Sequence, residues 1–277
     1  MKMRARINVF AARALVAGSL LVASRLALAG PPFLTDDPEP VEYKHSEFYV
    51  FSTHDKSKDG SQTAIPAFEY NFGVIQNTQL HIVVPFSRSA PSDASSEYGL
   101  GDTEVGVKYR FLRETDTRPQ VGIFPMAELD TGDADKGLGN GKTWWRLPVW
   151  AQKSWGGWTT YGGGGVVINH AAGQKDCHFV GWLLQNDIDE KLTLGGEVFG
   201  QTKETDNGDA TTLVNFGGYY KFTPDFNLLF STGHSVSGES HTIAYVGLWW
   251  GWGEDKQEAN ETRAAPGQNT WSVSNRQ

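Results

Sequence analysis

Gly101-Asp102-Thr103-Glu104-Val105-Gly106-Val107-Lys108-Tyr109-Arg110-Phe111-Leu112-Arg113 decides the fold. Successive side chains of a strand point to opposite faces. Thr103, Val105, Val107, Tyr109 and Phe111 therefore share one face, and Asp102, Glu104, Lys108 and Arg110 share the other. One oily and one charged face mark a stave of a transmembrane β-barrel, with the oily side toward lipid and the charged side toward a lumen. Similar runs recur from about residue 46 to residue 252. About twelve antiparallel strands are expected, near 46–56, 63–73, 78–87, 101–113, 118–130, 142–154, 158–169, 176–187, 191–203, 210–222, 225–235 and 240–252.

The links between these strands alternate in length. Gln76-Asn77, Gly156-Gly157, Asp189-Glu190 and Thr223-Pro224 are tight turns. Ser89 to Leu100, Thr131 to Gly141 and Lys203 to Asp209 are longer and polar. Outer-membrane barrels have short periplasmic turns and longer extracellular loops. Aromatic residues gather at the same two levels. Phe72, Phe111, Trp155, Trp158, Phe222, Phe226, Trp250 and Trp252 fall at the short-turn ends, and Phe86, Trp144 and Trp145 at the long-loop ends. Rings at both membrane interfaces form the girdles of such a barrel. Gly162 to Gly165 interrupts a strand with four glycines, where the expectation is local curvature.

The flanks are of a different kind. Residues 1–29 read as a signal peptide. Lys2, Arg4 and Arg6 form the basic start, Ala14 to Ala23 the apolar stretch, and Ala27-Leu28-Ala29 the cleavage site. Residues 30–45, rich in proline and acid, are expected to form an extended periplasmic arm. Residues 46–252 form the barrel, and 253–277 a polar tail without strand pattern. The chain holds 24 basic residues; less the five of the leader, 19 remain against 32 acidic, a net charge of −13. That balance argues against nucleic acid as a partner. A single cysteine, Cys177, cannot form an internal disulfide.

Two longer segments resemble a known family. They are Pro31-Pro32-Phe33-Leu34-Thr35-Asp36-Asp37-Pro38-Glu39-Pro40-Val41-Glu42-Tyr43 and Gly99-Leu100-Gly101-Asp102-Thr103-Glu104-Val105-Gly106-Val107-Lys108-Tyr109-Arg110-Phe111. Both resemble the proteobacterial outer-membrane family named for the MetA (meta-cleavage) pathway of phenol degradation, whose members are commonly labelled transporters. Leu129-Asp130-Thr131-Gly132 followed by Gly137-Leu138-Gly139-Asn140-Gly141 is similar to it as well. The resemblance covers nearly all of the barrel. It implies an outer-membrane channel for aromatic or other small organic compounds, and it carries no catalytic motif.

The alternation assigns eleven residues to the lumen: Glu69, His81, Asp102, Glu104, Lys108, Arg110, Glu128, Asp130, Arg146, Glu197 and Lys221. A midplane Lys or Arg facing lipid would cost about 2–4 kcal/mol, so these charges face inward, either wetted or paired. Wetted, they line a selective pore; paired, they belong to a plugged lumen. A twelve-stranded barrel is intermediate between filled and open barrels, so both readings stand.

Other constellations carry less. His234-Ser235 and Ser240-His241 suggest a barrel lipid hydrolase, but the G-x-S-x-G spacing is missing. Asp130, Asp133 and Asp135 lack the remaining ligands of a calcium loop. Cys177 beside His178 falls short of a four-ligand zinc site. No cofactor, metal or catalytic residue is expected. The expected reading is a passive outer-membrane channel for small solutes; a non-conducting structural or adhesive barrel and a lipid hydrolase are the alternatives. Its expected partners are outer-membrane lipid and lipopolysaccharide, the solute, and the barrel-assembly machinery.

Overall fold

The computed structural model describes residues 32–253, so the signal peptide and most of the tail lie outside the described residues. Fourteen strands make one antiparallel sheet: β1 His45–Ser57, β2 Gly60–Ile75, β3 Thr78–Pro91, β4 Glu97–Leu100, β5 Thr103–Leu112, β6 Gln120–Ile123, β7 Met126–Leu129, β8 Trp144–Trp155, β9 Trp158–Ile168, β10 Cys177–Asp187, β11 Leu192–Gln201, β12 Thr211–Thr223, β13 Phe226–Ser237 and β14 Thr242–Gly253. β4 with β5, and β6 with β7, each form one interrupted stave, giving a closed barrel of twelve. Closure runs through β1 and β14, in register from His45↔Gly253 to Lys56↔Thr242. Every stave thus has a neighbour on each side, which satisfies most of the backbone without water.

Alternation sets the faces. In β5, Val107, Tyr109 and Phe111 are exposed, while Glu104 and Lys108 are buried. Among the described residues the apolar exterior includes Leu80, Ile82, Val149, Val180, Val198 and Phe216.

Four features depart from the expectation. The stave expected at 118–130 breaks at Phe124-Pro125. Proline has no N–H to donate, so the ladder fails there. The Pro125 carbonyl still accepts from Val107 N at 3.1 Å. The loop expected from Ser89 to Leu100 shrinks, because β3 runs on to Pro91 and pairs with β4. The alternation of links has two exceptions: the outer Lys58-Asp59 turn is short, and the inner link 113–119 is long, with a Thr115↔Arg118 bridge.

The fourth departure is the largest. The arm, expected at the periplasmic side, lies inside the barrel. It joins β1 at the short-turn end and reaches inward to Pro32. Phe33, Leu34, Thr35 and Asp36 are each at most 3% exposed. A Cβ at Gly181 would collide with the Thr35 hydroxyl, so glycine there lets the arm lie against the wall. Beyond the arm, Trp150, Phe179, Phe199 and Leu213 fill the β8–β12 side. Gly163 leaves the space into which the Trp150 ring packs. Tyr49, Phe51, Ala67, Leu229 and Tyr245 form a second cluster under β1, β2, β13 and β14.

Candidate functional site: the barrel lumen

The charges of the lumen hold the arm. Glu197, on β11, accepts hydrogen bonds from the backbone N–H of Leu34, at 3.1 Å, and of Thr35. Asn215 Nδ2 donates to the same carboxylate at 3.1 Å. Ser231 Oγ donates to the Pro32 carbonyl at 2.5 Å. Lys108 Nζ stands 3.0 Å from Asp36 Oδ1 and 3.6 Å from Asp37 Oδ1, over the Phe124 ring at 4.9 Å. Arg110 reaches Glu39 at 3.4 Å and donates to Gln120 at 2.8 Å. Val41 N donates to Gln79 Oε1 at 2.8 Å. The acids of the arm and the bases of β5 are thus two halves of one arrangement.

Glu69, His81 and Glu104 form a second group, on β2, β3 and β5. The His81 ring lies 2.9 Å from Glu104 through Nε2 and 2.7 Å from Asn71 Oδ1 through Nδ1. Asn71 Nδ2 donates to Glu69 at 2.8 Å. Phe124 meets the imidazole edge-on, with ring centroids 5.1 Å apart. Arg146, also buried, stacks over Phe179 at 4.2 Å and Phe199 at 5.8 Å. Glu128 lies half-buried on β7, and Lys221 half-buried near the short-turn end of β12.

Two sequence expectations, for Asp130 and Trp144, need correcting, and Asp102, which does line the middle of the lumen, has a second role. Asp130 lies past the end of β7 and is exposed in the outer loop, so it lines no wall. Asp102 is buried, but its carboxylate braces that loop: it accepts from Gly132 N at 2.9 Å and Asn140 N at 2.5 Å. Trp144 is 4% exposed and turned into the core, while its neighbour Trp145 is 49% exposed. Of the other interface aromatics, Phe86, Phe111, Trp155, Trp158, Phe222 and Trp252 are exposed. Phe72, Phe226 and Trp250 are half-buried, with Phe226 stacked between Phe222 and Trp250 at 5.2 and 5.0 Å.

The serine–histidine pairs do not assemble into a catalytic relay. His241 Nδ1 lies 3.0 Å from Asp55 Oδ1, and its Nε2 is 3.7 Å from Glu239. Ser235 Oγ accepts from the His241 backbone N–H. His234 instead meets Thr242 Oγ1 at 3.0 Å. Asp133 caps a 3-10 turn, Ala134–Lys136, and pairs with Lys136 at 3.0 Å. Cys177 is buried while His178 is exposed, so the two point apart.

Three cavities follow one another along the lumen. The outer one, about 570 Å³, opens among the loops and shares Asp55 and Gln62 with the middle one. The middle one, about 170 Å³, is bounded by Phe33 and Leu34 of the arm and by the β1–β3 wall. It meets the inner one, about 560 Å³, at Glu69 and Phe124. Sequence reasoning missed Gln79, Asn215 and Ser231 as arm sockets. They are uncharged, and only their inward position on the alternation could have marked them.

Residues 60–252 match the family described as "Putative MetA-pathway of phenol degradation". The chain belongs to this family. No curated protein sequence matches it. The chain is similar in structure to an outer membrane channel from Pseudomonas putida F1, at a TM-score of 0.65 and 14% identity, over 81% of this chain and 100% of that one. It is also similar to the KdgM porin in complex with disordered oligogalacturonate, at a TM-score of 0.51 and 12% identity, over 73% and 98% of the two chains. These likenesses establish the outer-membrane barrel fold.

Proposed function

We propose that this family member is a narrow passive channel of the bacterial outer membrane that favours cations and neutral solutes over anions. The observation that carries the reading is the chain of cavities that runs past the arm along β1–β3. Its inner cavity is bordered by six carboxylates, of Asp36, Asp37, Glu39, Glu42, Glu47 and Glu69, and by one lysine, Lys108. Like-charged walls repel anions and concentrate cations. The residues 1–29 leader exports the chain, the barrel-assembly machinery inserts it, and its outer loops meet lipopolysaccharide. Solutes cross without chemistry, so the protein is not an enzyme.

A second reading, a closed barrel that conducts nothing, is favoured by the arm itself, which occupies the lumen through buried hydrogen bonds. Planar-bilayer recording under a KCl gradient separates the two. The channel reading expects small, reproducible steps with a reversal potential of the sign for cation preference. Silence across several purified preparations favours the closed barrel.

A further inference from the structure

We propose that Asp55 and His241 form a proton-tuned charge selector at the neck between the outer and middle cavities. The inference rests on the channel reading and deepens it by naming residues that set ion preference. Paired with a charged His241, Asp55 adds no net charge to the neck. Beside a neutral His241 it adds one negative charge.

Place is the first argument. Asp55 and Gln62 are the two residues that border both cavities. They are register partners across β1 and β2. Gln62 is neutral, and its amide donates to Ser89 Oγ on β3 at 3.0 Å. Only Asp55 of the two is ionisable, so the neck carries the charge of Asp55 and of whatever pairs with it.

Fixation is the second argument. His241 stands just before β14, and Ser235 holds its backbone on both sides. The His241 N–H donates to Ser235 Oγ and the Ser235 N–H to the His241 carbonyl, each at 2.9 Å. Ring Nδ1 then lies 3.0 Å from Asp55 Oδ1, with the histidine side chain 6% exposed. Among the described residues no lysine or arginine pairs with Asp55. The carboxylate therefore gains or loses its counter-charge with the proton on one ring.

The surroundings set where that happens. Glu239, on the same link, is 3.7 Å from His241 Nε2, and Glu204 and Asp209 of the β11–β12 link border a small cavity with them. Across the outer cavity stand Asp59, Asp93, Glu97 and Asp135 with Lys136 and Lys142. Those lysines are engaged by Asp133 and by the His170 carbonyl. The hydrogen bond to Asp55 raises the His241 pKa above the ordinary histidine value against the effect of burial, and the charges of Asp55, Glu239 and Glu204 add to the rise. The proton therefore leaves above about pH 6.5. As it leaves, the neck turns negative, concentrating cations and repelling anions.

The test is the reversal potential in planar bilayers under a KCl gradient, with the pH stepped from about 5 to about 9. One charge about 7 Å from a passing ion changes its local concentration about two- to threefold in water, so the parent's cation-to-anion permeability ratio is expected to rise by about that factor. His241→Gln keeps a side-chain N–H for Asp55 and has no charge to lose; it is expected to hold the high-pH ratio throughout. Asp55→Asn is expected to hold the low one. His81, deeper in the lumen, is the same in parent and variants, so a difference between them belongs to the pair. Heat-modifiable gel migration shows that each variant is folded, and His241→Asn replaces His241→Gln if the latter misfolds. A parent ratio that ignores pH, or a pH dependence that persists in a folded variant of either residue, overturns the inference and leaves the channel reading standing. Silent bilayers overturn both.

Discussion

Lys108 is the residue on which two of the arm's four acids converge. Its ammonium is 7% exposed, faces Asp36 and Asp37, and rests on the Phe124 ring. Removing one partner of a buried ion pair leaves the other charge uncompensated, which costs about 3–5 kcal/mol. The arm can avoid that cost by leaving. Lys108→Ala is therefore expected to expose the Thr35-Asp36 bond to Asp-N protease and to raise bilayer conductance, with the barrel still heat-modifiable. Tyr245 makes a contrasting case. Its hydroxyl is buried, and it has no partner among the described residues. A buried unsatisfied hydroxyl costs about 1–3 kcal/mol, so Tyr245→Phe is expected to be at least as stable as the parent. The urea midpoint in detergent checks it; a clear loss would mean that the hydroxyl is bonded.

At the scale of the element, the outer loop between β13 and β14 is clipped to β1. The hydrogen bond to Asp55 raises the His241 pKa above its usual value, with Glu239 and Glu204 adding to the rise and burial opposing it. A raised histidine pKa gives stability that is complete below about pH 6.5 and lost as pH climbs through the folded-state value. Thermal unfolding is expected to shift downward over that interval, and Asp55→Asn is expected to flatten the shift. How much of an element could be read in advance depended on what limits it. The staves were legible because lipid on one side and lumen on the other enforce period two. The break at Phe124-Pro125 was half-legible: Pro125 was visible, but two-sided pairing around a gap was not. The part played by Asp102 was not legible at all. On β5's alternation it belongs to the charged face, and only the fold of residues 132–140 around it shows a brace.

For the whole molecule, the arm decides how wide the lumen is. Its composition marked it as extended, and four prolines with four acids left little else. Its location was hidden, because its sockets are distant in sequence. Lys108 is 72 residues from Asp36, and Glu197 is 163 from Leu34. The alternation had placed Lys108 and Glu197 on the inside correctly as side chains on a strand, yet it could not say whether water or chain would meet them. Deleting residues 32–40 is expected to raise single-channel conductance severalfold while Lys108, Arg110 and Glu197 become wetted. Cation preference should fall as well, since Asp36, Asp37 and Glu39 go with the segment. Reversal potentials of the deletion protein check the second point independently of the first.

The seam between β1 and β14 joins the first stave to the last, so the edge of β1 stays open until the chain has been made as far as Gly253. An unpaired edge is a template for any other strand. The hazard in making this protein therefore depends on how long that edge waits, more than on the strength of any single strand pair. It also makes truncation asymmetric. Trimming behind Gly253 leaves every described seam pair in place, whereas losing β14 uncovers two edges at once, on β1 and on β13. Aggregation after truncation should begin abruptly as the cut crosses that strand.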